Sequence, residues 1–176
     1  MKKNLFVVTI LNFIMLCLFS FSSLAIMKEM STKELTKLSE TVIEGRVEGV
    51  EAQWSKDGKT IFTSAYIVVS NVIRGMTDQT NIIVEYEGGE IGDIGLKVSD
   101  EPTLKEGERV ILFLKSGKSK KDGVAYNIVG KGQGKYVIGA DGIARKSGFS
   151  TVGGEENIDN NIPVDQLIEK VRRVKQ

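Results

Sequence analysis

Residues 81–114 read NIIVEYEGGEIGDIGLKVSDEPTLKEGERVILFL, and this stretch decides the fold. Apolar residues alternate with their neighbours from Asn81 to Tyr86, which predicts a strand with one wetter face. The unbroken apolar run that follows Arg109 and ends at Leu114 predicts a strand covered on both faces. Two strongly specified strands therefore hold the connection between them.

That connection is rich in glycine and carboxylates. A long connection between buried strands is a common place for binding, and this one is too long for a minimal hairpin. We predict a partner-binding site made of Gly88, Gly89, Glu90, Ile91, Gly92, Asp93, Ile94 and Gly95. Ile91 and Ile94 would be apolar anchors, and Glu90 and Asp93 would orient the partner. The alternative is that both isoleucines fill the end of a barrel.

Strand signals recur along the rest of the chain, separated by tight turns. They cover residues 41–54, 60–73, 124–129, 136–138 and 143–145. Gly45 and Gly49 predict bends in the first of these strands. Helix signals flank the strands: Ser31 and Glu34 have capping-box spacing, and an amphipathic stripe follows Pro163. We predict a mainly β fold, a small antiparallel OB-like β-barrel with a short N-terminal helix and a C-terminal helix. A β-sandwich is the alternative.

The N-terminus has the layout of a secretory signal peptide. Lys2 and Lys3 precede an apolar run, and Ser23 and Ala25 supply small residues at the −3 and −1 positions of a cleavage site. We expect a secreted or periplasmic protein; the alternative is a leader retained as a membrane anchor. The predicted organisation is a signal peptide at 1–25, an N-terminal helical segment at 26–40, the β-barrel domain at 41–146, a loop at 147–160 and a C-terminal helix at 161–176.

The composition excludes several kinds of site. The chain has no histidine, and its one cysteine, Cys17, lies in the predicted leader. Disulfides, a cysteine nucleophile and Cys/His zinc sites are therefore excluded from the mature protein, and the commonest general base is missing. No spacing of carboxylates, or of serine and lysine, singles out a catalytic pair. We predict that the protein is not an enzyme and has no cofactor; a weak carboxylate-dependent hydrolase is the alternative.

Two ligand classes remain as alternatives to a protein partner. Glu87, Glu90 and Asp93 lie three residues apart on a glycine-rich backbone, and oxygen ligands suit calcium. The D-x-[DN]-x-[DN]-G calcium pattern is absent, so we predict no metal site. Trp54 would serve as a glycan platform or, as we expect, as a core residue that closes the barrel. A calcium- or glycan-binding module is therefore the alternative function.

Nucleic acid is not an expected partner. A basic hairpin tip is formed by Lys115, Lys118, Lys120 and Lys121, and OB folds often bind single strands with aromatic residues such as Tyr126 and Tyr136. Loss of the leader leaves 22 basic against 23 acidic groups, and this balance and export both argue against nucleic acid. The glycine-rich run at 130–135 lacks the spacing of a phosphate-binding loop and predicts a turn.

Two groups of motifs resemble known domains. VIEGRVEGV at 42–50 and VIRG at 72–75 resemble the opening of OB-fold barrels of the netrin-like type, which include the tissue inhibitors of metalloproteases. EGGEIGDIG at 87–95, LKEGERVILFL at 104–114 and YNIVGKGQGKY at 126–136 resemble an uncharacterised exported bacterial domain, sometimes fused to or encoded beside matrixin-type zinc metalloproteases.

The resemblance covers residues 35–150 and implies an extracytoplasmic, non-catalytic β-domain associated with a metalloprotease. It does not imply the netrin-like inhibitory mechanism, which places an N-terminal cysteine on the zinc, because the mature chain has no cysteine. The H-E-x-x-H zinc-binding helix of the protease itself is also absent from the chain.

We predict that the mature protein begins at Ile26, because the small residues Ser23 and Ala25 follow the apolar run at signal-peptidase spacing. N-terminal sequencing of the exported protein checks this. An intact Met1 on a membrane-bound form would show that the leader is an anchor.

Overall fold

The computed structural model describes residues 27–77, 79–119, 124–148, 151–152 and 159–175. The predicted leader and the end of the basic tip, Lys120 and Lys121, lie outside these residues. The chain is mainly β with a helix toward each end of the described part, which confirms this part of the predicted fold class. Neither of these helices has the length and apolar character that crossing a bilayer requires.

The described part contains two α-helices, a short 3₁₀ helix and a series of strands. The helices are α1 (Thr32–Leu38) and α2 (Val164–Arg173), and the 3₁₀ helix covers Lys131–Gly134. The strands are β1 (Met27–Lys28), β2 (Thr41–Trp54), β3 (Ile61–Arg74), β4 (Asn81–Glu87), β5 (Gly89–Ile91), β6 (Ile94–Leu96), β7 (Arg109–Lys118), β8 (Val124–Ile128), β9 (Lys135–Ile138), β10 (Ile143–Arg145), β11 (Thr151–Val152) and β12 (Ile162–Pro163). The predicted strands correspond to β2, β3, β4, β7, β8, β9 and β10. Strands β5 and β6 lie inside the connection predicted as a loop, and β11 lies inside the predicted 147–160 loop.

The predicted capping box begins helix α1. The Ser31 hydroxyl accepts a hydrogen bond from the Glu34 backbone N–H at 3.2 Å, and the Glu34 carboxylate accepts one from the Ser31 N–H at 2.9 Å. These two bonds satisfy backbone donors that a helix N-terminus leaves free. The Ser31 N–H, together with the Ser31 hydroxyl that also donates to the Glu34 carboxylate, holds the pKa of the Glu34 carboxyl below its usual value.

Five strands pair in a closed cycle. Strand β2 pairs antiparallel with β3 and β7, and β3 pairs antiparallel with β4. Strand β8 pairs parallel with β4, at Val84 and Tyr126, and antiparallel with β7, so the pairings return to β2. On the edge of β7 away from β2, β8 pairs with Leu114–Lys118 and β9 pairs with Val110–Leu112. Strands β10 and β12 extend the sheet beyond β9.

Strand β2 bends at the two predicted glycines. The register between β2 and β3 shifts at Gly45 and again at Gly49. A side chain at Gly45 would lie 2.6 Å from the carbonyl oxygen of Val68, so only glycine allows the strands to approach this closely. Register shifts of this kind mark local irregularities in the pairing of β2 with β3.

Strand β7 is buried on both faces, as its sequence predicts. Val110, Leu112 and Leu114 point into a cluster shared by the cycle, here called the ring cluster, whose buried members are Ile43, Val47, Ala65, Ile67, Ile82, Val84, Leu104, Val110, Leu112 and Leu114. Ile111 and Phe113 point the other way, into the helix cluster, which consists of Leu35, Val42, Ile73, Ile111, Phe113, Tyr136, Ile138, Ala144, Ile162, Leu167 and Val171. Both core clusters therefore depend on the same strand.

Two expectations are wrong: that Trp54 is a core residue and that one face of β4 is exposed to solvent. Trp54 is 44% exposed because it lies at the far end of the β2–β3 pair, whereas β7 accompanies β2 only as far as Arg46. On β4, Glu85 belongs to the supposed wet face but is buried, and its carboxylate accepts a hydrogen bond from the Ser119 hydroxyl at 2.6 Å. Neither the exposure of Trp54 nor the burial of Glu85 can be predicted from the residues that neighbour them in the sequence.

We expect Phe113→Ala to cost about 3–5 kcal/mol of unfolding free energy, because it would leave a cavity in the helix cluster. Phe113 is fully buried, and its ring centroid lies 6.0 Å from that of Tyr136. Denaturant unfolding measures the loss, with Lys115→Ala, an exposed position on the same strand, as the control. A variant as stable as the wild type would contradict the two-sided burial of β7.

Candidate functional site

A cleft of about 1320 Å³ opens between the far end of the β2–β3 pair and the connection from β4 to β7. Val50, Ala52 and Thr63 line it on the strand side. Two parts of the connection supply most of the remaining surface: the hairpin, residues 89–96, and the wall segment, residues 97–108. Four of the eight predicted partner-binding residues therefore line this cleft.

The predicted partner-binding loop contains a minimal β-hairpin, formed by β5 and β6. Ile91 pairs with Ile94, and Gly89 pairs with Leu96, around a two-residue turn at Gly92 and Asp93. Gly92 adopts a φ of +57°, which favours glycine. The whole connection, residues 88–108, is longer than a minimal hairpin, as predicted, but the sequence reasoning missed the hairpin in its first half.

The base of the hairpin is fixed to the β2–β3 pair. The Gly88 N–H donates to the Ile61 carbonyl at 2.8 Å, and the Thr63 hydroxyl donates to the Gly88 carbonyl at 2.7 Å. Gly89 has a φ of +139°, and a side chain there would lie 2.5 Å from the Thr63 hydroxyl oxygen and 2.8 Å from the Ala52 Cβ. These glycines therefore permit close packing at the base of the hairpin.

The eight predicted residues divide between the cleft and the hairpin tip. Those that line the cleft are Gly88, Gly89, Glu90 and Gly95, and those at the tip are Ile91, Gly92, Asp93 and Ile94. Ile94 is 56% exposed, so it does not fill the end of the strand cycle. Ile91 is half-buried, and the side chains of Glu90 and Asp93 are exposed. The tip thus presents apolar and acidic groups together.

The wall segment is anchored to the interior at its far end. Leu104 is buried in the ring cluster, and its backbone N–H donates to the Tyr86 hydroxyl at 3.2 Å. Burial raises the pKa of this tyrosine, so the hydroxyl stays protonated at neutral pH. At the near end, the Asp100 carbonyl accepts a hydrogen bond from the Gly132 N–H at 2.8 Å. Both sides of the cleft are therefore held in place.

Lys135 is the residue that the sequence reasoning missed in this region. Its side chain is 8% exposed, and its ammonium group forms an ion pair with the Glu108 carboxylate at 2.7 Å. The same group donates to the Thr103 carbonyl, so the lysine ties β9 to the wall segment. Alternation along β9 contained the signal, because Lys135 shares a face with Val137, which packs against the ring cluster.

Charge in the cleft is predominantly negative. The carboxylates that line it are Glu87, Glu90, Asp100, Glu101 and Glu108, and the ammonium groups are Lys97, Lys105 and Lys135. Lys135 pairs with Glu108, and Lys131 pairs with Glu101 at 3.3 Å. The excess of carboxylate favours a partner segment that carries basic residues.

The carboxylates do not converge on a metal position. Glu87, Glu90 and Asp93 follow one another along the hairpin, and no group of three potential ligands close enough to hold a metal ion occurs in the part of the chain that the structure describes. Calcium ligation needs six or more oxygens around one point. The geometry therefore gives the calcium alternative no support.

The other sequence candidates lie elsewhere. Tyr136 is fully buried beneath the helices and is unavailable for base or sugar stacking, while Tyr126 is half-buried against the ring cluster. The glycine-rich run at 130–135 forms a 3₁₀ helix that leads into β9. Within it, the buried Gln133 side chain accepts a hydrogen bond from the Met30 N–H at 2.7 Å. This run is structural.

A second buried lysine lies outside the cleft. Lys146 is 6% exposed, and its ammonium group lies 4.6 Å from the centroid of the Tyr136 ring, without a hydrogen-bond partner among the described residues. Burial lowers its pKa to about 8, while the nearby Asp159 and Glu29 carboxylates oppose this shift. A buried ammonium without a hydrogen bond destabilises the folded state.

We therefore expect Lys146→Met to stabilise the protein at about pH 7. The pKa of Lys146 is about 8 in the folded state against 10.5 ordinarily. Below pH 8 both states are protonated, and the advantage of the variant is complete, on the order of 3 kcal/mol at most. From pH 8 to 10.5 the unfolded state binds more protons, so the wild type gains stability and the advantage shrinks.

Urea unfolding of both proteins at about pH 7 and about pH 9.5 measures this difference. Lys37→Met, at an exposed position on α1, is the control. An advantage that does not change with pH would contradict the buried, charged state of Lys146.

Comparison with known proteins assigns neither a family nor a function to the chain. The chain matches no model of a known protein family, and a search of curated proteins gives no match. The resemblance to exported netrin-like barrels therefore stays an expectation. The function has to be inferred from the cleft, the hairpin and the composition of the chain.

Proposed function

We propose that the protein is an exported, non-catalytic binding module that holds a secreted protein with its hairpin and the adjacent cleft. The observation that carries this proposal is the exposed side chain of Ile94 on a hairpin whose base is fixed to β2 and β3. An apolar side chain on a fixed support can enter a partner's pocket at little cost in conformational entropy.

The pairing pattern supports an OB-like barrel as the scaffold. In the cycle β2–β3–β4–β8–β7, every neighbouring pair is antiparallel except β4 and β8. A five-stranded Greek-key barrel of the OB type places its ligands on one face and in the loops between strands. The hairpin and the wall segment form the connection from β4 to β7, which are the third and fourth strands of the cycle in chain order.

The chemistry of the site favours a protein partner. Ile91 and Ile94 contribute apolar area, and burial of one such side chain stabilises a complex by about 1.5–3 kcal/mol. Glu90 and Asp93 beside them would orient a basic segment of the partner, which the carboxylate excess of the cleft also favours. A secreted metalloprotease is the partner that the sequence resemblance implies.

Export and the lack of catalysis are parts of the same proposal. The apolar leader that ends at Ala25 supports a secreted or periplasmic location. After its removal the chain has neither histidine nor cysteine, and Glu101 and Glu108 of the cleft are paired with lysines. A binding role agrees with this set of side chains.

We expect replacement of Ile91 and Ile94 by serine to weaken partner binding tenfold or more, which is about 1.4 kcal/mol or above. The melting temperature should stay nearly unchanged, because the hairpin tip lies outside both core clusters. Biolayer interferometry against a matrixin-type protease secreted by the same organism measures the binding, and calorimetry measures the stability.

Val124→Ser is the matched control, since Val124 is 64% exposed on β8 and Ile94 is 56% exposed. The control should bind the protease like the wild type. A hairpin variant that loses stability but retains binding would show that the functional surface lies elsewhere. No binding by the wild-type protein would remove the protease from the proposal.

A further inference from the structure

Strand β6 carries a self-complementary sequence. Residues 93–97 read Asp-Ile-Gly-Leu-Lys, with opposite charges at the two ends, apolar residues inside them and glycine at the centre. Asp93, Ile94, Gly95 and Lys97 are exposed, and Leu96 is half-buried. When this segment runs antiparallel to a copy of itself, each charge lies opposite the other sign and each apolar residue lies opposite an apolar residue.

The backbone of β6 is available for such pairing. Strands β5 and β6 form a sheet of two, and among the described strands β6 has no neighbour on its outer edge. Because Ile91 and Ile94 form the pair that closes the turn, the alternation of an antiparallel ladder directs the N–H and C=O of Gly95 outward. Gly95 has no side chain to obstruct an approaching strand.

We propose that β6 pairs antiparallel with β6 of a second copy of this chain, with Gly95 on the twofold axis. The two Gly95 residues exchange both backbone hydrogen bonds, and Asp93 of each chain lies opposite Lys97 of the other. The contact is isologous, so one surface serves both copies. This inference does not rest on the proposed function, because a chain that binds no protease can still pair in this way.

Side chains on both faces of the joined hairpins favour this register. Ile94 and Leu96 lie on one face of β6, so the pair brings four apolar side chains together across the axis. On the other face, neither Asp93 nor Lys97 forms an ion pair within the described chain, so both are available to the second copy.

Repulsion between the copies is weak. Glu90 of each chain lies one strand behind β6, so the two carboxylates are separated by three strand spacings, roughly 14 Å. This separation exceeds the Debye length of about 8 Å at physiological ionic strength. The contact is also small, and interfaces below about 1,200 Å² are typical of transient association. We therefore expect a weak dimer that depends on concentration and salt.

Charge reversal tests the register. Asp93→Lys places Lys opposite Lys97, and Lys97→Glu places Glu opposite Asp93, so each single variant should dissociate at least tenfold more readily than the wild type. The double variant Asp93→Lys/Lys97→Glu restores both opposite-charge pairs and should dimerise like the wild type. An equimolar mixture of the two single variants also pairs opposite charges at both positions, so it should form heterodimers.

Sedimentation equilibrium of the mature chain, from about 10 µM to about 1 mM, measures these association constants. Circular dichroism checks the fold, which exposed positions such as 93 and 97 should leave intact. A wild type that is monomeric throughout this range overturns the proposal. Single variants that dimerise normally, or a double variant that stays monomeric, overturn the register. Because Asp93 and Ile94 belong to both proposed contacts, protease binding is measured separately, with the wild-type monomer below the concentration range of the dimer.

Discussion

Strand β7 packs Val110, Leu112 and Leu114 against the ring cluster and Ile111 and Phe113 against the helix cluster, and all five residues are fully buried. Burial of each such side chain contributes about 1.5–3 kcal/mol, in domains whose net stability is only about 5–15 kcal/mol. The strand cycle and the helical layer therefore share their largest stabilising contribution. Neither layer can loosen without exposing one face of β7, so the two layers should form one cooperative unit.

The position of the cleft follows from unequal strand lengths. Strands β2 and β3 run together to Trp54 and Ile61, but β7 leaves β2 at Arg46. Beyond that point β7 no longer pairs with β2. The hairpin packs against this part of the β2–β3 pair, where Gly89 lies against Thr63. The cleft thus arises where β7 no longer accompanies β2, while β4 still pairs with β3. The position of the cleft requires no sequence motif. It requires only a long pair of strands and a connection that packs against the end of that pair.

Local sequence information predicted the elements well and their environments less well. The alternation, the apolar run and the Asp-Gly turns are local signals, and the main strands follow them closely. The burial of Glu85 depends on Ser119, which is distant in sequence, so no local pattern contains it. The burial of Lys135, by contrast, follows from the alternation along β9. The hairpin could be predicted from the sequence, because Gly-Asp between two isoleucines is the signal of a two-residue turn. The high glycine content favoured a loop instead. The exposure of Trp54 required knowledge of where β7 ends.

The edges of the main sheet and of the hairpin differ in how they are protected. At one end of the main sheet β12 contains Pro163, which has no backbone N–H, and at the other end β8 returns to β7. The hairpin has β5 packed against the β2–β3 pair, while β6 presents a free edge with a single lysine. A lysine alone would be repelled by the same lysine of a second copy. In the antiparallel register, however, Lys97 lies opposite Asp93 of the second copy, so the two charges attract each other. The attraction holds only in the antiparallel register, since a parallel copy would place like charges together. Because the contact is isologous and uses the β6 edge of both chains, such pairing closes at two chains and does not propagate into a fibre.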